Sequence, residues 1–315
     1  MTPQSSPSRI PQTLRWGVVL ALATAAISGL SIFVNAFAVK QLPDPAVYTT
    51  LKNGVAALVL LGLAVATIRP ATVRTLPARS WGWLAVIGVI GGSVPFLLFF
   101  MGLAQASAPS AAFIHKTLFV WVALLAVPFL GERLGLAQIG ALAVLLAGQL
   151  LIVAPAGVTW GTGETFIAAA TILWALETIM ARRVLRTVPS AAVGAGRLGI
   201  GLVVLVGYLA VTGKAAVVAT LTPEQWGWAI VTGGLLSAYV GTWFAALQRA
   251  PASLVTAILV LGAPVTAALQ GLQAGSIPAV PVLAGQGLVL AAGAVLVLSG
   301  LRRWQPVPAP ASAAA

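Results

Sequence analysis

The sequence predicts an all-α polytopic membrane protein: ten transmembrane helices arranged as two inverted five-helix repeats, with both termini cytoplasmic. Three observations predict it. Sixty per cent of the 315 residues are hydrophobic and only 7% are Asp, Glu, Lys or Arg, whereas a soluble domain carries about 25% charged residues. Polar punctuation divides the chain into ten apolar runs, each near the roughly 20 residues that cross a bilayer. Basic residues then collect in alternate connections, as the positive-inside rule requires. A mean hydropathy of +1.04 excludes a soluble enzyme, an extended nucleic-acid binder and a disordered chain. The net charge of +12 is carried by residues scattered singly or in pairs, with no basic stripe, so no nucleic-acid partner is expected.

Taken in order, helix 1 is expected over 16–39. It is too long for the apolar core of a signal peptide and has no clear small-residue cleavage site. Its Thr24, Ser28, Ser31 and Asn35 fall on one face, where they either pack helices together or line a cavity. Helix 2, over 46–68, follows the breaker Pro43-Asp44-Pro45 and carries Tyr48, Lys52 and Asn53. Lys52 lies about six residues in, roughly 9 Å deep at 1.5 Å per residue. There it either snorkels to the outer interface or enters the bundle. Helix 3, over 81–104, opens on Trp81-Gly82-Trp83 and contains Phe96, Phe99 and Phe100. Gly91, Gly92 and Pro95 are its candidate hinge.

Helix 4, over 109–130, carries His115 and Lys116. Neighbours on a helix point about 100° apart, so these two should not both face one cavity squarely. Gly131-Glu132-Arg133 separates it from helix 5, over 135–154. Helix 6, over 163–181, holds Trp174 and Glu177, the only acid deep in a span. Glu177 either pairs with Arg182 and Arg183 near the inner face or couples transport to protons. Helix 7, over 190–211, carries Arg197 about seven residues from its inner end. Helix 8, over 225–247, follows Thr222-Pro223-Glu224, opens on Trp226-Gly227-Trp228 and contains Tyr239, Trp243 and Phe244. Helix 9, over 251–272, includes Pro264, a second candidate hinge, and helix 10 runs over 281–301. The Pro/Ala-rich stretch from Pro306 to Ala315 is expected to be a disordered tail.

With the N-terminus inside, twelve of the 17 basic residues fall in inside segments and two, Lys40 and Lys214, outside; Lys52, Lys116 and Arg197 lie within spans. Nine or eleven spans would scramble that asymmetry. Trp16, Trp81, Trp83, Trp226, Trp228 and Trp304 suit an interfacial belt. The expected organisation is a cytoplasmic tail at 1–14, repeats at 15–156 and 157–301, and a second cytoplasmic tail at 302–315.

The repeat rests on matches 142–146 residues apart: Trp81-Gly82-Trp83 with Trp226-Gly227-Trp228, Ala108-Pro109-Ser110 with Ala250-Pro251-Ala252, Pro43 with Pro189, and Gly140 and Gly148 with Gly285 and Gly293. Five helices per half is an odd number, so the second half enters the membrane from the opposite side, a build that recurs in secondary transporters. Two departures stand out: Val122 in helix 4 where helix 9 has Pro264, and Gln273-Ala274-Gly275 where the first half has Gly131-Glu132-Arg133.

Phe129-Leu130-Gly131-Glu132-Arg133-Leu134, Ala263-Pro264-Val265, and Trp174-Ala175-Leu176 followed by Arg182-Arg183 carry a further likeness. With the five-plus-five arrangement, they make residues 15–301 resemble the drug/metabolite transporter superfamily, EamA type, most similar to bacterial aromatic amino-acid exporters of the YddG type. The resemblance implies a multi-pass protein of the bacterial inner membrane that exports Phe, Tyr and Trp by alternating access. Its implied partners are a small-molecule cargo and the lipid bilayer, and a monomer is compatible with that.

On this reading the substrate-binding candidates are Asn35, Tyr48, Lys52, Phe96, Phe100, His115, Lys116, Trp174, Tyr239 and Trp243. Lys116 or His115 with Asn35 would take the cargo carboxylate, and the aromatics its ring. Glu177 and His115 are the groups that could couple transport to protons; so few acids leave passive transport open as well. The competing readings are a carrier of phosphorylated or nucleotide-linked sugars, held by Lys52, Lys116 and Arg197, and a membrane enzyme or receptor. Against the first, Lys52 and Arg197 are expected in opposite membrane halves. Against the second, no Walker loop, His-Glu-x-x-His run or Gly-x-Ser-x-Gly elbow is present. Neither a cofactor nor a metal is expected, and the absence of cysteine removes disulfides and thiolate metal sites.

Overall fold

A computed structural model describes residues 12–153 and 160–303. The tails expected at either end, up to residue 11 and from Trp304, lie outside the described residues, as does the expected junction at 156/157. Among the described residues, ten helices are long and apolar enough to cross a membrane. Seven are continuous: helix 1 (Gln12–Gln41), helix 2 (Pro45–Thr67), helix 5 (Leu136–Val153), helix 6 (Thr162–Val184), helix 7 (Ser190–Val211), helix 8 (Pro223–Arg249) and helix 10 (Val280–Leu301). Three are broken. Helix 3 divides into Ala78–Gly92 and Val94–Leu103, helix 4 into Ala108–Lys116 and Leu118–Leu130, and helix 9 into Ala252–Leu259 and Gly262–Ala274.

The ends follow from local chemistry. Asp44 caps helix 2, accepting from the Ala46 N–H at 2.7 Å and the Val47 N–H at 3.2 Å, with Pro45 in the first turn. Burial works to raise the Asp44 carboxyl. The Lys214 ammonium at 2.7 Å and the two N–H groups outweigh it and hold the carboxyl below its ordinary range, while Asp44 pushes Lys214 up. Thr222 and Gln225 form a reciprocal capping box on helix 8. Gly131 and Gly275 close helices 4 and 9 in the left-handed region, at φ 69° and 60°. These two glycines occupy matching places, which brings the connections after helices 4 and 9 into closer correspondence than the sequence suggested. Glu132, from the Gly-Glu-Arg-Leu motif, crosses to the other half. It accepts from the Ala252 N–H at 2.6 Å, the Ser253 N–H at 3.1 Å and the Ser253 hydroxyl, so it caps helix 9.

Packing obeys a two-fold scheme that exchanges helix n with helix n+5. Helix 1 lies against helices 8 and 9, and helix 6 against helices 3 and 4. Helix 2 packs on 7 and 8, and helix 7 on 2 and 3. Helices 5 and 10 pair with each other. The scheme reaches individual residues: Gly88 abuts Ile200 and Gly233 abuts Val55, each member 145 residues from its counterpart.

Broken helices explain where the halves depart from that symmetry. Pro95 has no N–H, so the carbonyl four residues earlier, Gly91, loses its helical donor. The Trp174 indole N–H supplies one at 3.1 Å, and Asn53 donates to the next carbonyl, Gly92, at 3.2 Å. Ser93 caps Gly88 and Val89 through its hydroxyl. Helix 8 is unbroken at the matching place. In helix 9, Pro264 likewise deprives Val260, whose carbonyl takes the Ala263 N–H at 2.9 Å instead. Helix 4 breaks at Thr117 with no proline at the break; the Thr117 hydroxyl donates back to Ile114 O at 2.6 Å, a bond that bends helices. The sequence reading did not anticipate this break.

Candidate functional site

Helices 1, 2, 3, 4 and 6 bring seven of the ten candidate residues together. Asn35 is fixed by donating to Ser31, its neighbour one turn earlier. Its Oδ1 therefore faces helix 2, where it accepts from the Tyr48 hydroxyl and from Lys52 Nζ at 3.3 Å. Asn35 thus joins helix 2 rather than helix 4. Lys52 does not snorkel. It is 4% exposed, and its ammonium lies 4.6 Å from the ring centre of Phe100, 5.1 Å from Tyr48 and 5.7 Å from Phe96, all within cation–π range.

The rings continue away from Lys52 as a connected cluster. Phe96 meets Trp174 edge-on at 5.2 Å, Phe100 meets Tyr48 at 5.8 Å, and His115 meets Trp174 at 5.1 Å. Phe99, named in the sequence but not among the candidates, touches Phe100, His115 and Trp174. The contacts are edge-to-face or tilted, the arrangements aromatic pairs prefer. Trp174 does two jobs, satisfying the helix 3 break with its N–H and closing the cluster with its ring.

The remaining candidates sit apart. Tyr239 and Trp243 stack on each other at 6.1 Å with planes 10° apart and make no ring contact with the Trp174 cluster. Lys116 borders a cavity of about 30 Å³ with Ser28, Phe119 and Thr256. His115 borders the same cavity, so one small space does receive both neighbours, because the helix breaks immediately after them. A larger cavity of about 440 Å³ lies between helices 2 and 7. Its wall, including Leu51, Val55, Leu58, Leu202 and Val206, has nothing to hold a charged cargo.

Two expectations are overturned. Lys52 and Arg197 were expected in opposite halves of the membrane, yet both reach the Phe96 ring, at 5.7 and 5.6 Å. The two long side chains converge on one ring. Nor does Glu177 pair with Arg182 or Arg183. Arg182 donates to Gln248 O and Arg183 to Phe129 O, while Glu177 faces Arg197 at 3.5 Å. Arg197 also lies 5.8 Å from the Phe244 ring. Its contact with Glu177 was the main site feature the sequence reading missed.

A ten-helix bundle of two exchangeable halves, enclosing buried cations and aromatic rings beside broken helices, has the make-up of a membrane carrier. The chain belongs to the EamA-like transporter family, whose pattern matches residues 15–154 and again 161–299. It is 29% identical over 294 residues to a probable terminal-alkyne amino-acid exporter of Streptantibioticus cattleyicolor, covering 90% of this chain and 92% of that one. It is 30% identical over 132 residues to an uncharacterized transporter from the cobO 3' region of a Sinorhizobium species, covering 42% of this chain and 92% of that one. A protein of known crystal structure shares the fold with a TM-score of 0.74 at 17% identity, over 91% of this chain and 98% of its own.

Proposed function

We propose that this transporter exports amino acids, aromatic ones first (Phe, Tyr, Trp), across a bacterial inner membrane. It does so by alternating access around a midplane site between the halves, with both termini cytoplasmic. The observation that carries the proposal is Lys52 held by Asn35 within the rings of Tyr48, Phe96 and Phe100. The ammonium takes the cargo carboxylate, and the neighbouring rings, with Trp174 and His115, take a π-rich side chain. Lys52 is favoured over Lys116 for the carboxylate because Asn35 engages it directly. Tyr239 and Trp243 form a second aromatic wall, and Glu177 and His115 remain the groups that could couple export to protons. The hinges at Gly91, Gly92 and Pro95 and at Pro264 supply the motion. The relative's name supports an amino-acid cargo, and an alkyne, like an arene, offers π density to ring edges.

A carrier of phosphorylated metabolites is the second reading, favoured by the approach of Lys52 and Arg197 to one ring. Against it, the Glu177 carboxyl group lies 3.5 Å from Arg197, where a carboxylate would repel a phosphate. Purified protein in proteoliposomes distinguishes the two: labelled Phe and Trp, and propargylglycine, should be taken up well above Ala, a diamine or a sugar nucleotide. Uptake of the sugar nucleotide alone would replace the proposal with the second reading. Topology is checked separately. Alkaline phosphatase fused after Ala315 should stay inactive in intact cells, and an active fusion would reverse the assigned orientation.

A further inference from the structure

The Glu177–Arg197 pair is built unlike a structural salt bridge. Both residues are nearly fully buried, at 1% and 4% exposure. Yet the closest approach is 3.5 Å, too long for a good charge-assisted hydrogen bond. Glu177 Oε1, Arg197 Nε and Arg197 Nη1 have no hydrogen-bond partner, and neither does Asn53 Oδ1. Buried polar atoms are nearly always partnered, so unspent capacity gathered in one place calls for an explanation. These atoms come from helices 2, 6 and 7 and gather around the break in helix 3. Asn53 holds Gly92 there, and Gly91 lies so close to Glu177 that a Cβ would come within 2.4 Å of its Cγ and 3.0 Å of Arg197 Nε. Glu177 is also three residues, or one helical turn, beyond Trp174, so it lies on the same face as the aromatic cluster.

We propose that Glu177 is the acceptor for the cargo's ammonium group and so determines specificity for amino acids over plain carboxylic acids. Arg197 is its stand-in partner when the site is empty. This rests on the amino-acid reading above. Lys52 and Arg197 both reach the Phe96 ring, and Glu177 lies 3.5 Å from Arg197, so the carboxylate subsite at Lys52 and the acid at Glu177 are linked through one ring and one guanidinium. A zwitterion laid across that ring places its two charges against groups of opposite sign. In the empty carrier, an unpaired carboxylate in the bundle would be costly, and Arg197 removes that cost without locking the acid in a tight bidentate bond. Cargo ammonium then replaces a poor contact with a good one, and the cargo carboxylate, bound across the Phe96 ring that Arg197 also reaches, offsets the charge of the released guanidinium.

The test uses wild-type protein in proteoliposomes and three competitors of labelled Phe uptake: unlabelled Phe, hydrocinnamate, which lacks the ammonium, and N-acetylphenylalanine, whose nitrogen is uncharged. Hydrocinnamate and N-acetylphenylalanine should each compete about tenfold or more weakly than Phe, the range expected for losing a hydrogen bond to a charged group. E177Q should abolish that preference. Because E177Q leaves Arg197 unpaired and could harm folding, the double variant E177Q/R197Q removes both charges. It should fold, and still transport Phe at least tenfold more slowly than wild type while hydrocinnamate competes as well as Phe. Restored Phe transport in the double variant would make the pair purely structural and overturn the proposal. So would equal competition by hydrocinnamate and Phe in the wild type. Wild-type protein that moves no amino acid would overturn both this proposal and the proposed function. Wild-type protein that moves Phe while the variants keep the preference would overturn this one alone.

Discussion

Gly92→Ala is expected to lower the stability of the purified protein in detergent by about 3 kcal/mol, the upper end for inserting a methylene into a tight contact. The reason is what the new methyl would meet. A Cβ at Gly92 would stand 2.0 Å from the carbonyl oxygen of Arg197 and 3.3 Å from the Cα of Gly201. These are backbone atoms of helix 7, and they cannot rotate out of the way as a side chain could. Helices 3 and 7 would have to part. That would disturb the Asn53 bond to Gly92 O, and with it the Trp174 bond to Gly91 O next door. Gly62→Ala is the matched control: its Cβ would meet nothing within 4 Å in the C-terminal part of helix 2, so it should be neutral or stabilise by up to about 1 kcal/mol. Thermal unfolding of both variants in the same detergent decides. Equal midpoints would mean that helices 3 and 7 are not held at this contact.

The ten spans were legible because length, hydropathy and punctuation are one-dimensional properties. The helix 3 break was legible because Pro95 announces a lost hydrogen bond and Gly91-Gly92 tolerates the close approach that follows. The helix 4 break was not. Thr117 leaves no more trace in a sequence than the many threonines that bond back within unbroken helices, such as Thr171 to Ile167 O. Depth counting along each helix misjudged where the charges of Lys52 and Arg197 go. It treats a residue as a point, whereas these side chains extend toward one another. One of the two readings of Glu177, a pair with Arg182 and Arg183, rested on nearness in sequence. Helical spacing argues otherwise, since residues five or six apart do not share a face while those three or four apart do. That argument was available from the sequence, but the identity of the true partner, on another helix, was not.

Lys52→Met is expected to reduce Phe transport by about 10- to 100-fold, the range for losing a hydrogen bond to a charged group, while the protein stays folded and present in the membrane. The two effects separate for a physical reason. Met keeps the unbranched apolar stem that packs among Tyr48, Phe96 and Phe100. It removes only an ammonium whose burial is itself unfavourable. Stability should therefore hold or rise as transport falls, the opposite of what a packing defect would do. Asn35 would keep its bond from Tyr48, so its position would not collapse with the charge. Lys116→Ala, at the small cavity beside Ser28 and Thr256, should have a weaker effect. Lys214→Ala should leave transport unchanged, because that cation pairs with Asp44 in a connection outside the spans. Rates measured at equal protein in the same liposomes test the order. If Lys116→Ala abolishes transport and Lys52→Met does not, the cargo carboxylate belongs on helix 4, and the ring-lined ammonium of Lys52 serves the bundle's packing instead.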